Sequence, residues 1–89
     1  MSTNNQGREN FLKWLRERRE GWIKESAEKY AKLPENIRAA IARVAGVENV
    51  RLDELSAADR KKLFDSCKEL RVKIDRAFVL LMAAHTMLE

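Results

Sequence analysis

The chain has 89 residues, 36% of them charged, with 18 Lys and Arg against 14 Asp and Glu for a net charge of +4. That length holds one domain with a thin core, which self-association commonly supplements; few Gly and a single Pro beside abundant Ala, Leu, Glu, Lys and Arg select an all-α fold. A lone cysteine excludes an intrachain disulfide, the polar start lacks the pattern of a signal peptide, and no uncharged run is long enough to span a bilayer, so a cytoplasmic protein making no membrane contact is expected.

Residues 1–8 carry no apolar side chain after Met1 and are expected as a flexible N-terminal tail, with 9–89 forming the single helical domain. The first helix is predicted over about 9–32. Acid-before-base pairs four residues apart lace its surface (Glu9 with Lys13, Glu20 with Lys24, Glu25 with Lys29, Glu28 with Lys32), each adding roughly 0.3 kcal/mol. At about 100° per residue, Phe11, Leu12, Leu15, Trp22, Ile23, Ala27, Tyr30 and Leu33 gather on one side as a core-facing stripe. Arg19 projects into the middle of that stripe and Trp14 projects away from it. Gly21, on the same side as Trp14, costs roughly 1 kcal/mol in a helix interior and reads as a place of close backbone approach or of a bend.

Leu33-Pro34 ends the first helix, and Pro34 opens a second over about 34–45 that Gly46 stops. Val47, Val50, Leu52 and Leu55 pin the following connector across the core with a single helical turn. Ser56, followed three residues later by Asp59, has the form of an N-cap and starts a long third helix predicted over 56–88. Along it Leu63, Cys67, Leu70, Ile74, Ala77, Leu81, Ala84 and Leu88 recur at gaps of four and three, the seam of helix on helix, with none of a strand's two-residue alternation. The expected architecture is a small bundle of three main helices, the long first and third antiparallel and the short second closing one end.

Catalysis is not expected. His85 and Cys67 lie about 27 Å apart on the one predicted helix, too far for a nucleophile–base pair. No His, Cys or carboxylate cluster has metal-ligand spacing and no Gly-rich turn could cradle a phosphate, so no metal, cofactor or small-molecule substrate is expected either.

Binding is what the pattern supports. Ala77–Leu88 carries no formal charge and needs more shielding than two other helices supply, so a homodimer or another protein is expected to cover Ala77, Phe78, Leu81, Ala84, His85 and Leu88. Trp14, with Arg18 beside it, is the candidate partner hot spot. The function expected is a non-enzymatic interaction module, a regulator or inhibitor that occupies a partner's surface. The alternative is a small basic nucleic-acid-binding protein using Arg16, Arg18 and Arg19 with Arg60, Lys61 and Lys62, the second cluster lying beside a helix N-terminus. Glu17, Glu20, Asp59 and Asp65 interleave those cations, and the helix spacing does not fit a helix-turn-helix.

Overall fold

A computed structural model describes residues 2–48 and 51–89, with side chains from residue 6 onward. It is all-helical: α1 Ser2–Ala31, α2 Glu35–Ala45, a single 3-10 turn at Leu52–Glu54, α3 Ala57–Glu69 and α4 Arg76–Leu88.

α1 begins at Ser2, not near Glu9. Nothing in residues 2–8 breaks a helix once the following turns have nucleated it, since each further residue adds one hydrogen bond. The resulting 30-residue helix is about 45 Å long at 1.5 Å per residue, in a molecule measuring 53 × 21 × 19 Å. Its first turns therefore project past the body, and residues 6–11 are exposed.

The boundaries of α2 follow their sequence signals. Pro34 is its N-cap, one place ahead of Glu35, with the amides of Ile37 and Arg38 bonded to the Pro34 carbonyl. At the other end Gly46 takes φ 73°, and the amides of Gly46 and Val47 bond back to Arg43 and Ala42 in a Schellman closure. In the connector Leu52 is buried and Val47 and Leu55 pack on the core; Val50 lies outside the described residues. The Ser56 hydroxyl accepts from the Asp59 amide at 3.1 Å, the cap expected for α3.

The predicted third helix is two helices. α3 closes with the same motif as α2, the amides of Arg71 and Val72 bonding to the carbonyls of Lys68 and Cys67, and Arg71 sits at φ 57° where Gly46 sits in α2. Leu70-Arg71-Val72-Lys73-Ile74-Asp75 does alternate apolar and polar, contrary to the seam reading. Val72 and Ile74 turn onto the core while Leu70, Arg71 and Lys73 stay outside. Asp75 then caps α4, its carboxylate accepting from the Ala77 amide at 2.9 Å.

The break lets α4 double back on α3: Arg60 meets His85 at the open end, and Phe64 meets Phe78 edge-on at 5.2 Å nearer the turn. On its other flank α4 runs antiparallel to α1, with Glu89 beside Arg19 and Phe78 in a small cavity with Ser26 and Tyr30. Ser66 ties α3 to α2 by donating to the Ile41 carbonyl at 2.8 Å. The core at these junctions comprises Tyr30, Ile41, Leu52, Leu63, Cys67, Phe78 and Leu81.

Candidate functional site

The exposed aromatic surface lies on α1. Phe11 and Trp14, three residues apart, share a side of the helix, and their rings stack at 6.1 Å with 21° between planes. Trp22 closes on Trp14 from the next turns in an edge contact at 6.1 Å, and the Arg18 guanidinium sits 5.6 Å from the Trp14 ring centre. Phe11 is 44% exposed and Trp14 45%. Trp14, Arg18, Trp22 and Glu25 on α1 line a groove of about 430 Å³ with Arg76, Ala77 and Leu80 of α4. A ring stacked on one neighbour and braced by another loses little side-chain freedom on binding, which suits an anchor residue. Gly21 plays no part in this: a methyl group added there would meet nothing within 4 Å, so the glycine marks no close approach by another backbone.

The predicted interface on the former third helix is placed differently. Ala77, Phe78, Leu81, Ala84 and His85 are buried and Leu88 is half-buried, all within the single chain. α4 has two flanking helices because the hairpin at residues 70–75 supplies α3 as well as α1. The expected need for a companion to cover those six positions is thereby removed. The side of α4 left outside holds Val79, Ala83 and Met87.

Arg60 is also turned inward. Its Nε donates to the Leu52 carbonyl at 3.0 Å, Nη2 to the Asp53 carbonyl at 3.0 Å, and Nη1 lies 3.3 Å from His85 Nε2. Since an arginine only donates, His85 Nε2 must accept, which fixes a neutral imidazole with its proton on Nδ1. Nδ1 is 3.0 Å from Glu89 Oε2 but off the line of a hydrogen bond, and finds no other partner. Burial lowers the pKa of His85 from its ordinary 6.5; the Glu89 carboxylate opposes that, and the Arg60 and Arg19 guanidiniums reinforce it. The sequence held no signal for this contact, because both residues belonged to one uninterrupted predicted helix.

These placements divide the two basic clusters. Arg16 and Arg18 are exposed on α1, whereas Arg19 is half-buried with its guanidinium 3.5 Å from Glu89. Lys61 and Lys62 are exposed and pair with Asp65 at 3.4 Å and Asp59 at 3.7 Å. Only Arg60 of that second cluster is inside.

Cys67 and His85 lie on different helices after all, so their predicted 27 Å separation along one helix does not describe them. Burial pushes the Cys67 thiol up to about 11, which keeps it protonated and unreactive near neutral pH. His85 reaches α3 at Arg60, two turns from Cys67. Among the described residues no group of three or more His, Cys, Asp or Glu is placed to hold a metal ion, and no helix is long and apolar enough to cross a membrane. In comparisons with protein-family models, curated proteins and solved structures, nothing matches this chain.

Proposed function

We propose that this chain is a non-enzymatic protein–protein interaction module, a regulator or inhibitor that works by seating the Phe11–Trp14 ridge of α1 in a partner's surface. The observation that supports this reading is the ridge itself: two large stacked rings, each nearly half exposed, on the part of α1 that leads out of the body. Isolated exposed apolar side chains are ordinary, but an ordered aromatic pair topped by an arginine has the composition of an interface hot spot. Arg18 beside it favours a partner with carboxylates at the rim of the contact.

Nucleic-acid binding has less support, because Arg60 spends its donors on Leu52, Asp53 and His85 while Lys61 and Lys62 face carboxylates. Affinity capture with the intact chain beside a Trp14→Ala chain of unchanged helicity tests the proposal. A protein retained by the first and lost by the second is the expected result. Retention that ignores Trp14, or binding of random duplex DNA that weakens steeply between 50 and 200 mM salt (about the range over which phosphate contacts weaken), would overturn it.

A further inference from the structure

α1 and α4 leave an open groove of about 430 Å³ between them, and because Trp14 lines it the groove continues the aromatic ridge. Its floor is apolar: Ala77 is buried, and Trp22 and Leu80 are half-buried. Its rim carries exposed Arg18 and Glu25 from α1 and exposed Arg76 from α4. The ion pairs among the described residues involve Arg19, Arg51, Lys61, Lys62 and His85, and neither Arg18 nor Arg76. From Phe11 to Glu25 this surface runs about 21 Å along α1 at 1.5 Å per residue.

We propose that the groove receives an acidic amphipathic helix of another protein. Its apolar side chains enter over Trp22, Ala77 and Leu80, and its carboxylates meet Arg18 on one wall and Arg76 on the other. This rests on the interaction-module reading and deepens it, extending the contact from α1 onto α4 and naming the partner's chemistry.

Two helices side by side offer a third helix a trough, the setting of helix-in-groove recognition through anchors at i, i+3, i+4 and i+7. Charge selects among the helices that could lie there. The rim holds two cations to one carboxylate, and neither cation has to leave a carboxylate of its own chain to meet a new one. Arg18 is held 5.6 Å from the Trp14 ring centre, which orients the guanidinium on the ring while its N–H donors stay open to a carboxylate. A second copy of this chain, at net charge +4, would bring an excess of the same sign. A nucleic acid has no aliphatic side chain for the apolar floor and would carry its phosphates past Glu25.

Selection of displayed peptides on the folded full chain at physiological salt tests this. The library is a helical frame of about 16 residues, enough to cover the surface, with apolar anchors on one face and Glu, Gln or Lys at each flanking position. The expected binders carry Glu beside the anchors. Arg76→Glu should weaken them by about 5- to 10-fold with helicity unchanged, since an acid suits the first turn of α4. Arg18→Glu should act likewise, and Lys for the facing Glu of the peptide should restore binding to either variant. Glu25→Gln should tighten binding by about 2-fold, and Lys61→Glu on α3 should leave it unchanged. Binders without an excess of Glu, binders indifferent to Arg76→Glu, or a selection that yields none would overturn the proposal. Phe11 lies outside the groove, so Phe11→Ala reads the ridge by itself. Loss with Phe11→Ala alone keeps the ridge and removes the groove; loss with Arg76→Glu alone keeps the groove and removes the ridge.

Discussion

Arg60 Nη1 lies 3.3 Å from His85 Nε2, and this contact joins the start of α3 to the end of α4. The same guanidinium also holds the carbonyls of Leu52 and Asp53. One side chain thus fastens the 3-10 turn, α3 and α4 together, and it can do so only while His85 accepts.

That condition makes the fold sensitive to acid. A folded pKa below the ordinary value means that the unfolded chain takes up the proton first. The neutral His85 contribution is complete above about pH 6.5, and it declines as pH falls below that value toward the lowered folded pKa, where imidazolium would turn an N–H against the Arg60 N–H. Chemical denaturation at pH 7.5 and pH 5.5 should show lower stability at the lower pH. His85→Gln should flatten the dependence; an unchanged slope in that variant would remove His85 as its cause.

Replacing Arg60 with Met should cost about 1–3 kcal/mol, because it takes the Arg60 donor from the half-buried Asp53 carbonyl and leaves the Leu52 carbonyl with the Leu55 amide alone. Urea melts of the two chains measure this directly. A loss within 0.5 kcal/mol, the ordinary range for surface changes, would contradict the anchoring role.

Arg71 at φ 57° holds a conformation that costs an L residue about 1 kcal/mol and that glycine adopts freely. Arg71→Gly should therefore raise the melting temperature, with a gain of about 0.5–1 kcal/mol. Arg71→Val should lower it, since branching at Cβ crowds the left-handed region.

Gly21 is exposed in the middle of α1, with open space where a Cβ would stand. Gly21→Ala should stabilise the protein by about 0.5–1 kcal/mol through the helix alone. Destabilisation would reveal a neighbour at that position.

The Cys67 thiol, buried and raised to about 11, should resist a water-soluble thiol reagent at pH 8 in the folded chain and react at once in denaturant. Slow labelling at the rate of unfolding is the expected kinetic result.

Much of the local structure was legible in the sequence because its causes are local. Pro34, Gly46 and the Ser56–Asp59 pair set the ends of α2 and the start of α3 through backbone torsions and one capping bond, and the apolar stripe of α1 placed Leu15 and Tyr30 in the core but wrongly included Phe11, which is exposed and stacked on Trp14 where α1 runs beyond its neighbours. The break at residues 70–75 was not legible by the same means. Leu63, Cys67, Leu70, Ile74, Ala77 and Leu81 keep helical spacing straight through it, and an arginine occupies the left-handed position where glycine would have announced the stop.

Composition, caps and periodicity therefore determined an all-helical chain and most of its helix ends, since those depend on residues within a few positions of one another. Only the tertiary structure decided that α4 turns back between α1 and α3. With that turn, Phe78 and Leu81 became core, Arg60 moved from a phosphate-binding candidate to an internal clamp, and Val79, Ala83 and Met87 became the outward side. The physical reason is that burial depends on which distant segment packs against a helix, and both sides of α4 are apolar enough to serve as either interior or surface.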